Sequence, residues 1–424
     1  MVILYTIVPN NGDQKMLNSV QLFEMALGVK SPWEITGVEF SDGLSGKELH
    51  VKIDFKKGAK FSGENEELCS VHDTKEKTWR HLNFFQHECY LHCRVPRIKI
   101  KDGKVALVDV PWARAGSGFT LLFEAFAMAL IEKEMPVNKV GQLLGEDSHR
   151  IWTIFNYWLE KSYAADEPAV PEKLGLDETS KRKGHDYITL AVNLDEKRVI
   201  HIVEGKDKNT VKQVRKYLES KDIDAKKVLH ASMDMSPSFI SGVHENFPKA
   251  EIHFDRFHVV KLLNEAMDKV RQIEREEHDE LKGHKYTFLK KNSNLSEHKK
   301  EKLKELIKLF PTLGEAYRLK ELFNDLWEME TEEEAICFIK EWCDEAGKLN
   351  TAPFNQFIKT VKAHWSGIVN FCETEINNGI LEGINNKVQL AKRRARGYRC
   401  TKNFINMIYF LCGKLRFDYP LVSS

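Results

Sequence analysis

The chain has 424 residues, 64 Lys plus Arg against 63 Asp plus Glu, and eight cysteines. That length leaves room for two to four domains with cores of their own, and the near-neutral balance excludes a globally basic nucleic-acid coat, so any such surface is local. No apolar run approaches membrane length, the opening MVILYTIV lacks the basic flank of a secretory signal, and the scattered cysteines form no paired framework; the expectation is a soluble intracellular protein with no membrane partner and with reduced thiols.

Residues 1–112 read as a β-rich head. After one short helix, period-two alternation is clearest in LHVKIDF and ECYLHCRVPRIKI. Cys69, His72, His87, Cys89, His92 and Cys93 fall here, but only Cys69 and His72 have the close spacing of a zinc-ligand pair. Cys89 and Cys93 are four apart, so on a strand they share a side, which suits packed thiols better than ligands. Residues 113–165 change to helical period: an apolar helix over Phe119–Glu134, a short one over Pro136–Leu144, a Gly145-Glu146-Asp147 turn, and a third over Ser148–Tyr163 with Ser148 as its cap. A short helix, a Gly-containing turn and a helix bearing His149, Arg150, Thr153 and Asn156 fit a helix-turn-helix, or any three-helix bundle. Residues 164–173, with Pro168 and Pro171, form a linker.

From Leu174 the pattern is α/β. LGLDE, YITLAVNLD and RVIHIVEG predict three strands; Thr210–Ser220 is helical; VLHASMD is a buried strand; Ser236–Asn246 is helical; AEIHFD is a last strand. This order is the one expected of a ribonuclease-H-like sheet. The stretch 257–374 is almost wholly helical, with Leu319, Leu322, Phe323, Leu326 and Trp327 as an apolar stripe, and is too long for a loop, so it reads as an inserted helical domain. The core then spans 174–256 plus 375–424.

Residues 377–399, NNGILEGINNKVQLAKRRARGYR, predict one helix. Ile380, Leu381, Ile384, Val388 and Ala391 make its core-facing side, and Glu382 stands among Asn378, Asn385, Asn386, Gln389 and Arg393 on a polar face. After Glu382 no acid follows until Asp418, while Lys387, Lys392, Arg393, Arg394, Arg396 and Arg399 crowd in. Asp177 and Asp234 each close a strand, and a packed C-terminal helix brings Glu382 to the same rim. Three converging carboxylates repel one another unless cations sit among them, and oxygen-only ligation selects Mg2+ or Mn2+. Two such ions suit in-line phosphoryl displacement. Taken singly, Asp177 and Asp234 also suit caps and Glu382 an exposed helical acid. Asp255, at the end of AEIHFD and close in sequence to His258, competes for the second position or supports it from nearby.

GLDETSKRKGHDY, SMDMSPSFISGV, IHFDRFHVVKLLNEAMDKVR and NNGILEGINNKVQLAKRRARGYR together resemble the insertion-sequence transposases of the ISL3 type, a DDE group, and WRHLNFFQHECYLHCRVPRIKI and VPWARAGSGFT extend the likeness to nearly the whole chain. The resemblance implies a multidomain α+β protein: a β-rich, zinc-finger-like head, a helix-turn-helix, and a ribonuclease-H-like α/β catalytic core interrupted by an all-helical insertion. It carries the catalytic and metal-binding roles onto Asp177, Asp234 and Glu382, and places Lys181, Arg182 and Lys183 in a basic turn after the first acid. Members commonly carry C-x-x-C pairs on either side of the WRHL segment. Here FSGENEEL and IKIKDGKV hold no cysteine, so the zinc site is expected to be eroded or rebuilt around Cys69 and His72.

The expected activity is divalent-metal-dependent cleavage at terminal inverted repeats and strand transfer into target DNA, by a homodimer or larger assembly on bacterial nucleoid DNA in the cytoplasm. Arg80, Arg94 and Arg97 of the head and Arg150 and Asn156 of the third helix are the expected sequence-reading contacts, and Lys387 to Arg399 the phosphate-holding ones. The alternatives are a transposase-derived DNA-binding protein that no longer cuts, and a ribonuclease-H-like nuclease without a joining step.

Overall fold

A computed structural model describes residues 18–43, 46–63, 67–100, 103–181, 186–374 and 379–419. It contains two compact units, one running to Trp158 and including the last residues from Phe417, the other Leu159–Arg416.

In the first unit α1 (Ser19–Leu27) precedes six strands: β1 (Trp33–Gly43), β2 (Gly46–Phe55), β3 (Lys60–Ser62), β4 (Leu68–Phe84), β5 (His87–Lys99) and β6 (Val105–Leu107). They form one sheet in the order β1-β2-β5-β4-β3, with β6 also on β5. Alternation decides its faces: Leu49, Val51 and Ile53 of β2 and Cys89, Leu91, Cys93 and Val95 of β5 are all buried, with Trp33 and Trp79 against them. Burial pushes the Cys89 and Cys93 thiols up to about 11 and about 12, so both are packed, protonated side chains.

Helices α2 (Leu121–Glu132), α3 (Val137–Leu144) and α4 (Ser148–Ala164) follow, close to the expected ranges. The cap of α4 differs from expectation. Asp147, one residue earlier than Ser148, accepts from the His149 amide at 2.7 Å. Asp147 stands just before the first helical residue, where its charged carboxylate reaches the open first-turn amides, so it takes the cap that Ser148, already inside the helix, does not. Glu124 of α2 is fully buried yet satisfied: its carboxylate accepts from Arg114 Nε at 2.9 Å, Trp158 Nε1 at 2.7 Å and Ser117 Oγ at 2.6 Å.

The second unit is built on a sheet of β7 (Lys173–Ser180), β8 (Tyr187–Asn193), β9 (Arg198–Glu204), β10 (His230–Met233) and β11 (Glu251–Phe254), ordered β11-β10-β7-β8-β9. The first three strands form an antiparallel meander; β10 and β11 run parallel to β7. The parallel connections carry α5 (Lys208–Ser220) and α6 (Pro237–Asn246). Seven helices follow: α7 (Arg256–Glu277), α8 (Lys285–Leu289), α9 (Glu297–Leu309), α10 (Pro311–Leu322), α11 (Glu332–Lys348), α12 (Ala352–Val369) and α13 (Phe371–Thr374). Their buried side chains are continuous with those of the sheet. Leu319, Phe323 and Leu326 of the expected stripe are buried. The chain then returns as α14 (Gly379–Arg394) and α15 (Thr401–Cys412).

The helix expected over 377–399 is shorter at its C-terminal end. It stops at Arg394, because Arg396 (φ 55°) and Gly397 (φ 90°) turn the backbone left-handed. Asn377 and Asn378 lie outside the described residues.

One close approach fixes the α3–α4 turn. A Cβ on Gly141 would lie 2.7 Å from the Glu146 carbonyl oxygen, a backbone atom with no rotamer to yield. Gly141→Ala is therefore expected to destabilise the first unit by about 1–3 kcal/mol, read as a lower midpoint in denaturant with an unchanged slope.

Candidate active site

The register of the second sheet aligns three acids. His230 pairs with Lys173 and Glu251, Ala231 with Leu174 and Ile252, and Ser232 with Gly175 and His253. Continued by two residues, the same register sets Asp234 beside Asp177 on one side and Asp255 on the other. The Asp255 amide donates to the Met233 carbonyl at 3.0 Å, so the β10–β11 pairing reaches this row. Asp177 does not close its strand, as the sequence suggested; β7 runs on to Ser180 against β8. The parallel partner β10 stops short, so Asp177 sits where one edge of β7 becomes free.

Helix α14 lies along β7 in matched steps. Leu381 meets Gly175, where a Cβ would stand 2.8 Å from Leu381 Cδ2. Asn385 Nδ2 donates to Asp177 Oδ2. Gln389 Nε2 donates to Thr179 Oγ1 at 3.2 Å, and Lys392 Nζ to the Ser180 carbonyl at 2.6 Å. Four helical residues advance about 6 Å and two strand residues about 6.6 Å, so helix and strand stay in phase over three contacts. Glu382, three residues before Asn385 on the same face, is exposed and makes no ion pair or hydrogen bond among the described residues.

Burial dominates the electrostatics of the row. It raises Asp177 from 3.8 to about 6, against a hydrogen bond from the Glu178 amide and the charge of His258; Asp255 pushes the same way as burial. Glu178 is also raised by burial and then by Asp234. His258 is raised, first by its hydrogen bond to Asp255 and further by the charges of Asp255, Asp234 and Asp177, against its burial. Asp255 is committed: one oxygen accepts from the Phe257 amide at 2.8 Å and the other lies 3.2 Å from His258 Nδ1. Asp234 accepts from the Ser236 amide at 3.0 Å. Asn385 Oδ1 is buried without a partner.

The expected DNA contacts divide sharply. Arg80 is 2% exposed and cannot reach a phosphate. Its guanidinium is spent on the His81 and Cys89 carbonyls and on Asn83, between the Tyr90 and Phe123 rings. Arg94 and Arg97 are more open but paired with Asp54 and Asp73. Arg150 is exposed, paired with Glu146 and lying 4.2 Å over the Phe119 ring. Asn156 is half-buried. Lys181 is tied to Glu204 at 2.7 Å and Asp186 at 3.1 Å, with a side chain only 10% exposed, so it is a structural cation. Arg182 and Lys183 lie outside the described residues. Lys392 is held by β7, but Lys387, Arg393, Arg394, Arg396 and Arg399 are exposed.

Cys69 and His72 are not set up as a zinc pair. Burial alternates along this part of β4, with Cys69 on the covered side, its thiol 3.8 Å from the Glu67 carbonyl, and His72 on the open side. Among the described residues of the head no three His, Cys, Asp or Glu side chains converge.

Sequence reasoning missed Glu178 and the clamp made by Asn385 and Gln389. Both amides stand on the polar face around Glu382, but nothing in the sequence reveals their partners on β7.

Comparison with known proteins finds matches along three successive segments of the chain. A family model described as a transposase, of the ISL3 type, matches residues 174–408; a helix-turn-helix domain of transposase family ISL3 matches 108–159; and a zinc-finger of transposase IS204/IS1001/IS1096/IS1165 matches 66–102. The chain is 27% identical over 345 residues to the transposase for insertion sequence element IS1001 of Bordetella parapertussis, covering 79% of this chain and 84% of that protein. It is 25% identical over 423 residues to the transposase for insertion sequence element IS1557 of Mycobacterium tuberculosis, covering 92% and 94%. Since the first model alone spans more than half of the chain, the protein belongs to the ISL3 family of transposases.

Proposed function

We propose that the protein binds the terminal inverted repeats of its element, hydrolyses a phosphodiester at each end and joins the freed 3′ hydroxyl to target DNA, using divalent ions held by Asp177, Asp234 and Glu382. The observation that carries this reading is the placement of Asp177 and Asp234 in one register row, with α14 gripping Asp177 through Asn385. Residues three apart on a helix have Cβ atoms about 5–6 Å apart, which sets Glu382 within side-chain reach of the same rim. The strand order β9-β8-β7-β10-β11 supports a ribonuclease-H-like core. We divide the chain into a head (1–112), a helix-turn-helix (113–165), that core (174–256 plus 375–424) and a helical insertion (257–374).

The donor set fits hard cations. Asp177, Asp234 and Glu382 offer only oxygens, Asp177 is buried enough to resist ionisation without a cation beside it, and among the described residues Asn385 Oδ1 has no donor. Divalent ions held there would supply activation of the attacking oxygen and stabilisation of the leaving one. The chain's own groups prepare that site. Asn385 and the Glu178 amide orient the Asp177 carboxylate, and the Ser236 amide orients Asp234. Asp255 holds the proton of His258 at Nδ1 and caps α7, so it positions its neighbours, while Glu382 is the uncommitted third acid.

The exposed cations Lys387, Arg393, Arg394, Arg396 and Arg399 lie on or just beyond α14 and hold the DNA backbone near the rim. Arg150 and Asn156 of α4 read base edges, Arg150 after leaving Glu146. Two element ends call for two protomers at least. Among the described residues no helix is long and apolar enough to cross a membrane; a DNA substrate places the protein on the bacterial nucleoid. Zinc in the head does not fit the described donors, and its strands and buried tryptophans hold it instead.

Purified protein incubated with a mini-element and Mg2+ is expected to nick at the element ends and to yield joined products. Asp234→Asn and Glu382→Gln should each abolish nicking while leaving binding to the ends intact; nicking by Asp234→Asn protein would remove the assignment. Because Asp177 binds its proton more tightly folded (about 6) than unfolded (3.8), its contribution to stability is present below about pH 4 and lost as pH climbs through about 6. Asp177→Asn should therefore stabilise the metal-free protein at pH 7 by about 2–3 kcal/mol and remove that pH dependence, both visible in thermal melts. Arg393→Ala with Arg394→Ala should weaken binding to all DNA sequences alike and reduce the salt slope by about 0.9 for each phosphate no longer neutralised, measured by binding titrations at several salt concentrations.

A further inference from the structure

The strands that lead to Asp234 and Asp255 bear a second donor set, with His230 and Glu251 opening them and His253 two residues before Asp255. His230 Nδ1 lies 3.1 Å from His253 Nε2 and 3.7 Å from Glu251 Oε2, and all three ligand atoms fall within 4.8 Å of one another. We propose that His230, Glu251 and His253 form a second metal site, taking a zinc-class divalent ion that clips β10 to β11.

Tetrahedral zinc with bonds of about 2.0–2.1 Å sets its ligand atoms about 3.3 Å apart; His230 Nδ1 meets this within a few tenths of an ångström toward both partners, at 3.1 and 3.7 Å, and a rotation of the exposed Glu251 side chain closes its remaining distance to His253. His253, 4% exposed, is held by a bond to the backbone of Asn370 at the end of α12. With Nε2 turned to His230, Nδ1–H is the group left to donate to that carbonyl. The remaining nitrogen then carries a lone pair aimed into the cluster, the arrangement by which an outer partner fixes a ligating imidazole. His230 and Glu251 reach solvent, with side chains 22% and 56% exposed, and give an ion its way in.

Two imidazoles and one carboxylate favour zinc, cobalt or nickel over magnesium, and Lys173, paired with His230 in the register, further disfavours an ion held by charge alone. The head has another close histidine pair, His50 and His92 at 2.8 Å, but its other nitrogens are engaged by the Ser41 and Thr78 hydroxyls at 2.7 and 3.0 Å. That pair closes a hydrogen-bond chain and offers no converging lone pairs.

The test is a cobalt titration of the metal-free full chain, with excess Mg2+ present to occupy the acid row. The wild type should develop the visible bands of low-coordinate cobalt without a thiolate charge-transfer band, and Zn2+ should displace them and raise the thermal midpoint. His230→Gln and Glu251→Gln, both at solvent-reaching positions, should keep the fold by circular dichroism and weaken cobalt binding by about tenfold or more. Asp234→Asn should leave the bands unchanged, which separates this site from the proposed catalytic one. Absence of the bands from the wild type, or their full retention in both His230→Gln and Glu251→Gln, would overturn the site and leave a hydrogen-bonded histidine pair.

Discussion

The seating of α14 on β7 is the contact on which the candidate active site depends. It joins residues 208 positions apart, Asp177 and Asn385. Closing a flexible loop of that length costs about 5 kcal/mol, a sum one amide–carboxylate bond does not supply. The intervening helices bury side chains continuous with the sheet's own core, so most of the ordering is met by their packing before α14 arrives. What remains is local fit. Gly175 lets Leu381 come down onto the strand, and the near-equal advance of one helical turn and two strand residues keeps the amides over β7.

This arrangement explains which parts of the molecule are legible in sequence. The strands of the second sheet and the helices after the head emerge close to their observed bounds because each has a clean period, two or 3.6, broken by turn residues. Asp177 and Asp234 stand out because they interrupt apolar runs. The row they share with Asp255 is harder to see, since strand-end acids reveal rank order but not register; that follows from β10 and β11 pairing in parallel over only four residues. Charge direction is least legible. Arg80 sits in a strand beside Trp79 and reads as a surface cation, yet the segment Gly118–Thr120 pairs with its backbone and brings Phe123 over it. Lys181 is likewise captured by acids from two other segments, 5 and 23 residues on.

Burial of Asp177 illustrates a local rule broken at the candidate site. A carboxylate in such a place is destabilising when ionised, and an Asn there would satisfy the Glu178 amide at less cost. Elsewhere the same protein buries Glu124 with three donors on its two oxygens. The contrast lies in supply: Glu124 is matched by protein donors including a guanidinium, whereas the row of Asp177, Asp234 and Asp255 has one histidine for three acids. A structural carboxylate is completed by its own fold. The acids of the row are left short of positive charge, as expected of groups whose partner arrives from solution.

The two donor sets along β10 and β11 extend this contrast to the choice of ion. Both strands are four residues long, and β11 is the sheet edge, so the pair has little hydrogen bonding of its own to hold Asp234 and Asp255 in register. The acid row presents carboxylates with one histidine, His258, already bonded to Asp255, which suits hydrated hard cations; His230, Glu251 and His253 present imidazoles converging with a single carboxylate, which suit ions that form directional bonds to nitrogen. If both proposed sites are filled, ions of the two classes would sort by donor chemistry along one strand pair. An ion bound at the imidazole end would cross-link the strands without competing for the acids, and the rigidity it adds would act on the register that sets Asp234 beside Asp177.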